Sequence, residues 1–356
     1  MRAAGPARVD IRPITGIPEV RPGDDLAGLL AAGLAASDLA LRDGDVLVVS
    51  SKVVSKALGL VRVGPTRADV VAEQTLRVVA RRRSPVGDTV IVEAAAGPVM
   101  AAAGADSSNA RPDEVLVLPA DCDHEARVLR GRLTSLAHDV VFGLVIADTA
   151  GRPWRDGVTD FALGAAGLTV LEDLRGQVDT HGNRLEVTVR AIADEVAAAA
   201  DLAKGKLDGV PAALIGGLDR YVIADDGPGV RPSLRGTGLD AWQDWFRYGH
   251  VEAVRAALRA GERAPDNSVP PPSVAPEPVA ARANRALTLA LAAHPSLVTG
   301  SVNDAMGEVS IELAGGSSYA LGAAVARLHI ALWSEHLATS VGRDDDTRFV
   351  IRELVD

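Results

Sequence analysis

Short apolar runs alternate along this chain with longer stretches in which apolar positions recur at helical spacing, and that alternation predicts an α+β, or mixed α/β, fold. Strands are expected at Val9 to Ile14, Val46 to Ser51, Thr89 to Glu93, Glu114 to Leu118, Val140 to Ala147, Leu185 to Val189 and Pro211 to Ile215. Helices are expected at Asp24 to Ala36, capped by acidic residues, over residues 67 to 83 with an amphipathic pattern, over residues 123 to 138, and at Ile192 to Lys204. The run at Val46 to Ser51 has the apolar continuity of a buried strand.

Between Ala260 and Arg282 the pattern breaks, with Pro265, Pro270, Pro271, Pro272, Pro276 and Pro278 set among small and charged residues. Proline clusters favour extended, donor-poor backbone, so residues 260–282 are predicted to be a linker between a domain at 1–250 and a small αβ region at 283–356. That region is expected to hold helices at Ala283 to Ala293 and Tyr319 to Leu337 and strands at Glu308 to Leu313 and Arg348 to Leu354. It is short enough that docking onto the first domain or a dimer mate is expected.

Composition narrows the classes. The formal net charge is -10 and aromatics make up 3% of 356 residues, so a basic surface with stacking aromatics, and with it nucleic acid, is not expected. No apolar run reaches the ~20 residues of a membrane span. The lone Cys122 can form no internal disulfide, and the first residues lack the hydrophobic stretch of a signal peptide, so a cytoplasmic setting is expected.

The most informative stretch is Phe142 to Gly157, where an apolar strand is expected to stop at Asp148-Thr149 and give way to Gly151, Arg152, Trp154 and Arg155. It sets metal-binding oxygens beside guanidinium groups suited to phosphate or carboxylate, as phosphoryl chemistry requires. A polar strand-to-loop turn explains the same residue types. A second segment, Ala102 to Asn109, joins small residues to Asp106, Ser107, Ser108 and Asn109; a third, Ser50 to Lys56, puts two lysines and three hydroxyls at a strand's carboxyl end, a common place for ligands in α/β sheets. No Gly-x-x-x-x-Gly-Lys-Ser/Thr loop occurs, so a nucleotide site would lie outside the P-loop plan.

Taken in order, and together with Gly16 to Val20, Pro22 to Leu26, Gly164 to Leu168 and Ala193-Asp194-Glu195 through Lys206, these segments resemble the coenzyme F420-0:L-glutamate ligase family over roughly residues 8 to 250. The resemblance implies a mixed fold, an intertwined homodimer, and sites in grooves. It implies transfer of the GTP γ-phosphoryl group to the phospholactyl carboxylate of F420-0, then attack of the L-glutamate amine on the acyl phosphate. Addition of further glutamates stays open, as does GTP against ATP on physical grounds. Mg2+ or Mn2+ would be needed, a further K+ stays open, and Asp106, Asp148 and Thr149 are the implied metal ligands. Asp148 and Arg152 are the implied catalytic residues, Arg152 and Arg155 being suited to hold an anionic substrate by bidentate contacts. Ile17, Pro18, Glu19 and Val20 would line the nucleotide site. Ser51, Lys52 and Lys56 would contact phosphates or base, Asn109 would add a hydrogen bond, and Lys204, Gly205 and Lys206 through Pro211 would close over the nucleotide.

The chain departs from the resembled pattern at Leu58, where a Glu is usual, at Gly216, where an Arg commonly precedes Gly217, and at Lys206, where archaeal members have a metal-binding Gln. A protonated lysine cannot ligate a cation. Two other readings stay open: a catalytically weakened paralogue that binds nucleotide or F420 precursor, and a ligase acting on a different carboxylate. Asp194-Glu195 suits a helix start as well as it suits a site.

Overall fold

The computed structural model describes residues 8–84, 87–108, 110–137, 140–234, 246–258, 277–292, 297–305, 308–341 and 347–354. They group into two compact units, residues 1–77 with 92–240, and residues 78–91 with 241–356. The chain runs β1 (Asp10–Ile14), α1 (Leu26–Ala36), β2 (Val46–Ser50), α2 (Ser51–Ala57), β3 (Val61–Val63), α3 (Arg67–Glu73), β4 (Thr75–Ser84), β5 (Gly87–Ala94), β6 (Val99–Ala101) and β7 (Glu114–Leu116). It continues α4 (Cys122–Leu136), β8 (Gly143–Arg152), β9 (Arg155–Ala166), β10 (Leu171–Asp173), β11 (Val189–Ala191), α5 (Ile192–Lys204) and β12 (Ala212–Gly216).

The first unit is built on a five-stranded sheet in the order β1-β12-β2-β8-β9, in which β2 and β8 are parallel and the other neighbours antiparallel. Val46 to Val49 of β2 are fully buried because both faces of the sheet are covered. Side chains alternate across a strand. Leu47 and Val49 therefore join Leu144, Ile146 and Leu214 in a core with Leu30 of α1 and Leu133 of α4. Val46 and Val48 join Val145, Ala213 and Ile215 in a second core, against Ile192 and Val196 of α5. Each large aliphatic side chain so buried contributes about 1.5–3 kcal/mol, which fixes the register of the central strands.

The second unit holds α6 (His250–Leu258), α7 (Val279–Leu291), β13 (Thr299–Ala305), β14 (Glu308–Ala314), α8 (Ser318–Trp333), β15 (Leu337–Val341) and β16 (Arg348–Glu353). Its antiparallel sheet, β13-β14-β16-β15, packs Ile311 and Phe349 against Leu289, Leu328 and Leu332 of the helices. The buried Arg285 pairs with Glu277 at 2.6 Å and with Glu335 at 2.8 Å.

The mixed α/β class is the observed one, and α5 spans the expected residues. Other elements differ. The helix expected over 67–83 stops at Glu73, and Thr75 opens a strand. The arginines that look like the polar face of a helix have long-range partners: Arg77 pairs with Glu93, Arg81 with Asp88, and Arg82 with Glu252. The strand expected at Leu185 to Val189 is instead the short β11, and the helix expected to reach Leu337 stops at Trp333, before His336 turns the chain at φ 54°. Asp25 takes the N-cap position of α1 without a side-chain capping bond. Within the expected 260–282 linker, residues 260–276 lie outside the described residues and α7 begins at Val279.

The Gly164 to Leu168 segment has a packing reason. A Cβ on Gly164 would stand 2.2 Å from the backbone carbonyl of Cys122, so only glycine lets β9 meet the start of α4. There Asp123 accepts backbone N–H groups from Ala165, Val230 and Arg231. Gly164→Ala should destabilise the protein by at least about 1–3 kcal/mol, read as a lower urea midpoint with an unchanged m value; an unchanged midpoint would contradict this packing account.

Candidate active site

The register pairs Ile14 with Ala212, Ala212 with Val49, and Ser50 with Ala147. The carboxyl ends of β1, β2 and the apolar part of β8 thus lie side by side with the start of β12. The segments leaving that edge, joined by the end of α5, enclose a cavity of about 220 Å³. Its walls carry Glu19, Lys52, Lys56, Asp148, Thr149, Asp160, Asp201, Lys204 and Lys206. A crevice beyond the carboxyl ends of a parallel strand pair is where open α/β sheets bind ligands.

On one side Lys52 pairs with Asp106 at 2.7 Å and Lys56 with Glu19 at 2.5 Å. Asp106 also accepts hydrogen bonds from the backbone N–H of Ser108 at 2.7 Å and its hydroxyl at 2.9 Å. Burial raises its pKa, but Lys52 and then Ser108 lower it further, so Asp106 lies below the ordinary carboxylate range. The preceding turn places Ala102, Ala103 and Gly104 consecutively at positive φ (52°, 53° and 70°). That conformation costs about 1–2 kcal/mol for each alanine. The strain is held where the chain turns to present Asp106.

On the other side Asp160, 3% exposed, is opposite Thr149 in the β8–β9 register and accepts its hydroxyl hydrogen at 2.6 Å. The buried Lys204 donates to Asp160 at 2.6 Å, and Lys206 reaches it at 3.2 Å. Lys206 also pairs with Asp201 at 3.0 Å and donates to the Thr149 hydroxyl. Burial raises the Asp160 pKa, but Lys204, Thr149 and Lys206 outweigh it, so Asp160 too lies low. Between the two sides stands Asp148. Burial, reinforced by the charges of Asp106 and Asp160, outweighs the Thr149 backbone N–H and Lys52 and pushes its pKa up to about 6.

The expected Ile17, Pro18, Glu19, Val20, Lys52, Lys56, Lys204, Gly205, Lys206, Pro211, Asp148 and Thr149 all line this groove, with Asp106 behind Lys52. Ser51 does not line it: the side chain is buried and its hydroxyl finds no partner among the described residues, while Ser50 faces the groove. Arg152 does not line it either. The strand expected to stop at Asp148-Thr149 runs on to Arg152, which is exposed and pairs in register with Arg155 at the hairpin end. Asn109 lies outside the described residues. Sequence reasoning missed Asp160 and Asp201. A lone acid before the apolar Phe161-Ala162-Leu163, one strand on from Thr149, was the available signal, but using it required the hairpin register.

Among the described residues no three His, Cys, Asp or Glu side chains converge tightly enough to enclose a metal ion. The donor set still suits a phosphate-borne Mg2+ or Mn2+, which needs only one or two carboxylates from the protein. Burial, first of all, makes Asp148 the carboxylate of this groove whose charge gains most from a neighbouring cation. Two of the three departures lie elsewhere. Leu58 borders a separate hollow with Gly23 and Leu26, and Gly216 pairs with Asp10 at the opposite end of β12. Only Lys206 stands in the groove.

A family model described as F420-0:Gamma-glutamyl ligase matches residues 15–217, which contain every wall of this groove. The chain belongs to this family. Similar proteins include "Coenzyme F420:L-glutamate ligase" of Methanopyrus kandleri, 41% identical over 61% of this chain and 90% of the relative. Proteins of that name from Archaeoglobus fulgidus and Methanothermobacter thermautotrophicus are 38% and 36% identical, over 60% and 65% of this chain and 89% and 97% of theirs. Residues 241–356 lie beyond the match to the family model. Among the described residues no helix is long and apolar enough to cross a membrane.

Two substitutions in this F420-0:gamma-glutamyl ligase family member should act in opposite directions. Asp148 has a folded-state pKa above its unfolded value, so it weakens stability as pH rises from about 4 to 6 and keeps its full penalty above that. Asp148→Asn should therefore raise stability by about 1–2 kcal/mol at pH 7.5 in chelator, a few degrees in Tm, with the gain vanishing near pH 4. Asp160→Asn should instead cost about 3 kcal/mol, because it strands the buried Lys204 ammonium. Thermal melts of both variants across pH check the pair; a destabilised Asp148→Asn at pH 7.5 would refute the charge assignment.

Proposed function

We propose that this chain joins L-glutamate to the carboxylate of coenzyme F420-0 at the expense of GTP. The observation that carries the reading is the convergence of Lys52, Lys56 and Lys206 with Asp148 and Asp160 in one groove at the carboxyl ends of β2 and β8. A carboxylate is a poor electrophile at neutral pH, so amide formation requires its activation, here as an acyl phosphate. One oxygen of the F420-0 carboxylate attacks the γ-phosphorus, GDP leaves, and the amine of glutamate then displaces inorganic phosphate.

Each groove residue has a part in this scheme. Lys52 and Lys56 are held by Asp106 and Glu19 and meet the phosphates as oriented cations, which lowers the entropy lost on binding. Ile17, Pro18 and Val20 offer an apolar wall to the base, and residues 204–211 form the opposite side. Asp148, with Asp106 beside Lys52, would hold a divalent cation, while the hydroxyl of Thr149, the third implied ligand, is engaged by Asp160 and Lys206. A bound Mg2+ or Mn2+ supplies charge neutralisation as negative charge builds on the phosphate oxygens. The family relation extends the reading to a homodimer.

Mass spectrometry of purified protein with F420-0, L-glutamate, GTP and Mn2+ should show an added glutamyl residue in step with GDP release, and ATP in place of GTP should give less product. Asp148→Asn should lower turnover by at least about 100-fold, on the scale of losing one oriented electrostatic contact. Nucleotide binding without product would instead favour the weakened paralogue, and product only with another carboxylate would overturn the F420-0 assignment.

A further inference from the structure

Lys206 sits among oxygens of the types that a hard cation also takes. Its ammonium faces Oδ1 of Asp201 at 3.0 Å, Oδ1 of Asp160 at 3.2 Å and the hydroxyl of Thr149, three oxygens contributed by α5, β9 and β8. Two carboxylates and a hydroxyl make a hard, anionic donor set of the kind that suits Mg2+ or Mn2+. The second oxygen of Asp160 is taken by the buried Lys204. Asp160 and Asp201 together carry two negative charges, and Lys204 and Lys206 together carry two positive ones, so the cluster is neutral without an added ion.

We infer that the Lys206 ammonium is a built-in cation that keeps a divalent metal out of the Thr149–Asp160–Asp201 half of the groove, leaving metal binding to the Asp106–Asp148 half. Asp201, Asp160 and the Thr149 hydroxyl take the three N–H donors of Lys206, so its charge is held among the oxygens that a metal would otherwise use. A tethered ammonium differs from a free dication in its consequences. It cannot be removed by chelation or exchanged, and it brings one positive charge instead of two. Lys206 is a positioning and specificity residue in this account, and the inference rests on the cation-assisted reading proposed above for the neighbouring half.

Mn2+ alone, titrated into the full-length protein and followed by the electron paramagnetic resonance of the free ion, tests this without recourse to turnover. Lys206→Ala should bind one more Mn2+ per chain than the unaltered protein, whereas Lys206→Arg, which keeps a cation in place, should not. Adding Asp201→Asn to Lys206→Ala should abolish the gain. An unchanged count in Lys206→Ala, or a gain equally present in Lys206→Arg, would overturn the inference. The count in the unaltered protein bears on the other half of the groove: loss of its Mn2+ in Asp148→Asn supports the proposed metal ligand, and no Mn2+ at all would overturn that ligand assignment while the difference produced by Lys206→Ala still decides the role of Lys206. Melting curves identify any variant that fails to fold, and the unaltered protein supplies a separate check, since bound Mn2+ beyond one equivalent per chain would also overturn the inference.

Discussion

The buried ion pair between Asp160 and Lys204 is the interaction on which the groove depends. It joins β9 to the last turn of α5, and through the Thr149 hydroxyl it fastens β8 to the same point. A carboxylate and an ammonium removed from water each cost several kcal/mol, and close contact with full hydrogen bonding is what makes their burial tolerable. The geometry of the pair therefore constrains its surroundings. With Lys204 fixed, the chain that follows must leave α5 along the groove, and with Asp160 fixed, the β8–β9 hairpin must hold Thr149 opposite it.

The electrostatics of the groove divide around this pair. Asp106 and Asp160 have cations at hydrogen-bonding distance and are readily ionised, whereas Asp148 lies between them with burial and their charges set against it. One carboxylate of the groove is thus held in an unfavourable state at neutral pH, flanked by two that are satisfied. The strained turn through Ala102 and Ala103 and the ion pair from Lys52 to Asp106 fix the rim nearest Asp148.

Much of this was legible in the sequence. The apolar runs of β2 and β8, the full length of α5, and the Lys52, Lys56, Asp106 and Asp148 positions could be read from periodicity and residue type, because those features are local. What was not legible depended on pairing across long separations. Asp160 acquires meaning only from the register that sets it against Thr149, and the arginines of β4 only from Glu93, Asp88 and Glu252. Arg152 shows what residue spacing alone leaves out: four residues beyond Asp148 in sequence, it is carried by an extended strand out to the hairpin end.

The groove wall after α5 has its own mechanics. Gly205 and Gly209 both take positive φ, 61° and 65°, and bracket Lys206, Leu207 and Asp208 between a helix end tied into the core and a strand that starts at Ala212. Leu207 is 96% exposed, so little among the described residues covers it. Between the two glycines Lys206 ties the span back to the groove through Asp160, Asp201 and the Thr149 hydroxyl. Salt therefore acts unequally on wall and sheet: it screens the half-exposed Lys206 that holds this wall far more than it weakens the apolar packing that holds the sheet beneath it.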